Sequence, residues 1–123
     1  MHYAHTAITD LEIPIAAERS QQHLLTTYAS ETNKVVSIWH SFQGKDLAFK
    51  PHPKSSSVQE IMQHQLLSER RFFGEFLGTP EPDPSLILPT EKTSPAFAAR
   101  LVELAAISHQ GVAKSRCFWH NYV

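Results

Sequence analysis

The stretch SVQEIMQHQLLSERRFFGEFLG, residues 57–78, decides the fold. It opens on Ser57 with Glu60 three residues later. That is the capping-box pattern, in which the hydroxyl accepts from the Glu60 N–H and the carboxylate reaches back to the Ser57 N–H. At 100° per residue, Val58, Ile61, Met62, Gln65, Phe72, Phe73 and Phe76 fall within about a third of the helix circumference. Leu67 lies on the opposite side, so the pattern predicts a helix that touches two neighbours, as one inside a bundle does. Gly78 ends it.

Working upstream, residues 44–56 form a connection in which Pro51 and Pro53 favour extended backbone at the residues before them. Leu47 and Phe49 are expected to pin that connection to the core. Before it, Ala17, Leu24, Tyr28, Val35, Ile38 and Phe42 recur at spacings built from three and four, with Gln21 and Glu31 interrupting the stripe. They predict a first helix over residues 14–42, with Pro14 in its first turn and Gly44 stopping it in the left-handed conformation. Residues 1–12 carry no strong period and read as a short arm.

Downstream, residues 79–89 hold four prolines in eleven positions. They predict a stiff, extended crossover with Leu86, Ile87 and Leu88 as anchors. Ser94 followed by Pro95 reads as the N-cap and first residue of a third helix, with Phe97, Leu101, Leu104 and Ser108 on one face. Gly111 leaves two endings open: it sits inside a helix running to Tyr122, or it caps at Gln110 and a short fourth helix follows. No run alternates like a strand and no repeat recurs, so the fold class is all-α: an antiparallel helical bundle with three long helices, in a single domain over residues 1–123.

The chain is 41% hydrophobic and 19% charged with a net charge of -1, ordinary for a soluble domain and without the basic field that draws a nucleic acid. No 18 consecutive apolar residues occur, so no membrane partner is expected, and the N-terminus lacks a signal pattern, which leaves the cytoplasm as default location. A single cysteine, Cys117, excludes an internal disulfide framework and a multi-thiolate zinc site. Four glycines, at 44, 74, 78 and 111, make no phosphate-cradling loop.

Eight histidines are many for this length, and imidazole is the commonest transition-metal ligand. His109 and His120, eleven residues apart, stand roughly 16 Å apart on a continuous helix, too far for a common ion. Cys117 with His120, and His2 with His5, have helical ligand spacing but supply only two ligands each. His64 lies two turns into a well-capped helix, beside Ile61 and Ser68, where a neighbouring helix can reach it. It is either a boundary residue hydrogen-bonded to a neighbour or solvent, or a ligand. Glu69, Arg70 and Arg71 read as a solvated face with minor ion pairing.

The order of these features, and above all SVQEIMQH followed by LLSERRFFGEFLG, resembles the DinB-like family of four-helix bundles, which includes YfiT-like proteins. The resemblance covers about residues 13–104. It implies that His64 is one of three imidazoles holding a divalent metal, zinc or nickel, and that the activity is thiol transfer or hydrolysis on a small-molecule substrate. The family's other two histidines stand as H-x-x-x-H on a fourth helix, and this chain has no such pair. A bundle short of that helix leaves an apolar groove, for which a second copy is the expected partner: a homodimer, which either restores a metal site, with His64 joined by His120, Cys117 or Glu31 of either chain, or leaves the pocket only structural. Two functions follow. One is a metal-dependent transferase or hydrolase with His64 as ligand; the other is a non-catalytic module that binds a small molecule or a protein partner.

Overall fold

The computed structural model describes residues 6–78, 80 and 82–114, and of Phe76 and Lys114 the backbone alone. Among the described residues the long elements are all helices: α1 (Arg19–His40), α2 (Val58–Leu77), the single turn α3 (Pro84–Ile87) and α4 (Ser94–Lys114). Short 3-10 turns lie at Asp10–Glu12 and Gly44–Asp46. The all-α bundle expected from the sequence is what the chain forms.

The start of α2 is built as its sequence dictates. The Glu60 N–H donates to the Ser57 hydroxyl at 3.1 Å, and the Ser57 N–H reaches Glu60 Oε1 at 3.4 Å. The preceding loop completes the cap, because the N–H groups of Val58 and Gln59 donate to the carbonyls of Phe49 and Leu47. No donor in the first turn is left without an acceptor, so the helix end can sit against the protein at little cost. At the other end Gly78 takes the left-handed conformation, φ 70°, and its N–H closes on the Gly74 carbonyl. On the core side Met62 and Leu66 are buried, whereas Ile61 and Phe72 are half exposed. Of the two link residues expected to reach the core, Leu47 does and Phe49 remains exposed.

Helix α1 differs from expectation in its start and its face. It begins at Arg19 rather than Pro14, because the Gln22 amide accepts from the Ala16 N–H at 2.8 Å and donates to the Pro14 carbonyl at 3.2 Å, holding those residues outside the helix. Leu25, Ala29, Thr32, Val36 and Trp39 are buried, each one position C-terminal to the stripe read from the sequence, and Gln21, an interruption of that stripe, is buried as well. Polar groups caused the error: Gln21 is buried because its amide donates to the Val112 carbonyl, while Leu24 and Ile38 are about half exposed. The helix ends at His40 with Ser41 as its cap, and Gly44 opens a 3-10 turn instead of taking a left-handed conformation.

Asn33, buried on α1, ties down the N-terminal arm. Its Oδ1 accepts from the N–H groups of Ala7 and Ile8, and its Nδ2 donates to the Ile8 carbonyl at 2.9 Å. Ile8 is thereby seated against Ala29 and Ala105.

Helix α4 is the common partner of α1 and α2. Phe97, Leu101, Leu104 and Ser108 are all buried on it, as their spacing predicts, together with Ala98 and Ala105. Thr93 rather than Ser94 caps it, its hydroxyl accepting from the Ala96 N–H at 3.2 Å. Gly111 lies within the helix rather than after a cap at Gln110, and the expected continuation to Tyr122 lies outside the described residues; a Cβ at Gly111 would stand 2.6 Å from Leu77 Cδ1, so the bare backbone lets the last turn of α2 approach. The crossover is not extended throughout, since Asp83 caps the turn α3, from which Ile87 is buried and Leu86 points outward.

Directions follow from these contacts. Gln21 at the start of α1 meets Val112 near the end of α4, so the two run antiparallel. Leu77 at the end of α2 meets Gly111, so α2 and α4 run alike, and residues 79–93 carry the chain back along the bundle. One end of the molecule therefore gathers the first turns of α1, the last turns of α2 and the last described turns of α4.

Candidate functional site

At that end lies an apolar pocket of about 250 Å³, lined by Leu24, Leu25 and Tyr28 from α1, Phe72 and Phe73 from α2, and His109 and Val112 from α4. Leu24 and Phe72, each about half exposed, stand at its mouth. The residues come together because α1 and α2 both pack on α4 while their own backbones come close at few points, leaving side chains to close the gap.

Tyr28 bridges that gap. Its hydroxyl donates to Glu69 Oε2 at 3.0 Å, and its ring lies tilted against Phe73 at 5.2 Å between centroids. Burial, then the Glu69 charge, push the Tyr28 phenol far above its usual range, so it remains a neutral donor at ordinary pH. Burial also raises the Glu69 carboxyl, against the hydrogen bonds from Tyr28 and Gln65 that favour its charged form. Glu69 thus leaves the solvated face expected for it. Arg71 behaves as expected, pairing on the surface with Glu75 at 3.4 Å.

His109 is 2% exposed, and its Nε2 has no hydrogen-bond partner among the described residues. Its ring meets that of Tyr28 edge to face at 4.7 Å. Desolvation lowers its pKa to about 4, so at neutral pH the imidazole is uncharged. The pocket therefore presents apolar walls and the rings of Tyr28, Phe72, Phe73 and His109, while the unpartnered Nε2 of His109 is itself buried.

His64 stands elsewhere. It is exposed on α2, one turn before Ser68, whose Oγ lies 3.2 Å from its Nε2. A bound ion would need at least two further ligands beside it. Among the described residues no three His, Cys, Asp or Glu side chains gather in that way, and Glu31 is paired with Lys34 at 2.8 Å. The described residues alone do not make up an ion's shell. His2, His5, Cys117 and His120 lie outside the described residues.

Sequence reasoning missed Tyr28, Glu69 and His109 as a group. One signal was available: Glu69 is one turn from both Gln65 and Phe73, residues the helical pattern places on the inner face of α2. No family model matches the chain, and neither a curated protein nor a solved structure is significantly similar to it.

Proposed function

We propose that this protein is a small-molecule-binding helical module whose ligand is a compact apolar compound held between α1, α2 and α4. What supports this reading is the pocket itself: concave and lined by Leu24, Leu25, Phe72, Phe73 and Val112, with Tyr28 and His109 beside them. Pockets that are mainly apolar with a few placed polar groups are the usual form of small-ligand sites. The volume, about 250 Å³, suits a ligand below drug size.

Toluene is the simplest probe. It should raise the melting temperature of the wild-type chain, and Leu24→Trp, which fills the pocket from its half-exposed mouth, should abolish the rise without unfolding the protein. No rise at saturating toluene contradicts the reading. The metal-dependent transferase or hydrolase, with zinc or nickel on His64, makes the opposite demand. Protein purified without a histidine tag would then carry stoichiometric metal, and His64→Ala would lose it.

A homodimer is a compatible second reading, favoured by apolar residues about half exposed on two helices, Leu24 and Ile38 on α1 with Ile61 and Phe72 on α2. Light scattering at micromolar concentration tests it: a dimer that Ile61→Glu converts to a monomer supports it, and a wild-type monomer removes it.

A further inference from the structure

The chain leaves α4 at the end of the bundle where the pocket opens. Val112 is one of the pocket's walls, and Lys114, two residues on, is the last described position. Residues 115–123, SRCFWHNYV, lie outside the described residues. Five of these nine are apolar or aromatic, and three carry rings: Phe118, Trp119 and Tyr122. An aromatic side chain gains by burying about 150–250 Å² of surface, so a segment this rich in rings favours an apolar recess within its reach. Trp119 is five residues past Lys114, a span of up to roughly 17 Å, which is long enough to turn back to Val112.

We propose that the pocket's resident occupant is the indole of Trp119 from the same chain, seated between Leu24 and Phe72 against Tyr28 and Phe73, and that a small molecule binds by displacing it. This rests on the binding-module reading above and adds a regulator of the same site. Size selects among the three rings. A cavity of roughly 150 Å³ with aliphatic and aromatic walls holds one benzene. The pocket, at about 250 Å³, is therefore larger than the single ring of Phe118 fills and suits the double ring of an indole. Tyr28, Phe72 and Phe73 already meet in tilted and edge-to-face contacts, Phe72 on Phe73 at 5.3 Å and 87°, and a further ring extends the cluster in the geometry that aromatic quadrupoles favour. At the mouth Leu24 and Phe72 are half exposed, and a ring seated between them takes both from water. Tethering strengthens the contact, since a short link holds the ring at an effective concentration in the millimolar range, which a free competitor must match.

The test is NMR of the full chain with labelled methyl groups, titrated with toluene, in the wild type and in Trp119→Ala. The proposal expects nuclear Overhauser contacts from the Trp119 indole to the methyls of Leu24, Leu25 and Val112, lost at saturating toluene. A pocket open only a tenth of the time weakens its ligand tenfold, so toluene should bind Trp119→Ala about tenfold more tightly than the wild type. If that variant does not fold, the wild-type contacts and their loss with toluene decide alone. A helix that continues straight past Lys114 rises about 1.5 Å per residue, carries Trp119 away from Val112 and gives no such contacts. Absent contacts, or equal measurable toluene affinity in the two proteins, overturn the Trp119 assignment and leave the apolar pocket standing as a ligand site. Toluene that binds neither protein overturns the pocket reading and the displacement with it.

Discussion

Moving the His109 ring from water into a site 2% exposed removes the hydration that stabilises its cation, and its pKa falls from the ordinary 6.5 to about 4. As pH drops below about 6.5 the unfolded chain takes up a proton there and the folded chain does not. Between 6.5 and 4 the unfolded state therefore binds more protons, and stability falls with pH. The contribution is complete above 6.5 and is lost progressively towards 4. Glu69, raised by burial, acts in the opposite sense just above its ordinary value, and it is common to both proteins compared here. Urea titrations across that range should give a steeper acid loss for wild type than for His109→Leu; parallel profiles would contradict the burial of a neutral imidazole. Asn33 offers a second test at this scale. Asn33→Ala removes three hydrogen bonds to the Ala7 and Ile8 backbone and should cost about 2–3 kcal/mol in urea unfolding. A loss under about 0.5 kcal/mol would mean that the arm is held by Ile8 packing alone.

Among the elements, α2 was legible and α1 only in part, for physical reasons that particular residues display. Both ends of α2 are written in local chemistry, the Ser57–Glu60 box and the left-handed Gly78, and neither depends on what packs against the helix. The face of α1 depends on its partners. Gln21 and Asn33 are buried there because the Val112 carbonyl accepts from one and the arm's backbone pairs with the other, which hydrophobic spacing cannot register. Gly111 was ambiguous for the same kind of reason: its place inside α4 is set by Leu77, 34 residues earlier in the chain. That contact yields a double-mutant prediction. Gly111→Ala alone should be within about 1 kcal/mol of wild type, because the helix propensity gained, about 1 kcal/mol, is offset by displacing the Leu77 side chain. In a Leu77→Ala background the same change should stabilise by up to about 1 kcal/mol. Additive effects in the cycle would mean that the two residues do not touch.

At the scale of the molecule, the composition and patterning carried the fold class but not the site. The three long helices follow from periodicities and breakers spread along the chain, whereas the pocket arises where three helix ends converge, and its lining comes from positions as far apart as Leu24 and Val112. His64, singled out by its setting on a well-capped helix, sits on the surface beside Ser68, while His109, set aside for its distance from His120, lines the pocket. Among the described residues no helix is long and apolar enough to cross a membrane. The arrangement makes one demand that can be read atom by atom: an apolar ligand must perturb the helix ends that line the pocket and leave the rest of the core alone. A methyl-resolved NMR titration with toluene measures this most directly. The methyl resonances of Leu24, Leu25 and Val112 should shift and saturate together, while those of Leu66 and Leu101, buried elsewhere in the core, stay fixed. Unmoved resonances at all five residues, or shifts at Leu66 and Leu101 without the other three, would contradict a ligand site at this end of the bundle.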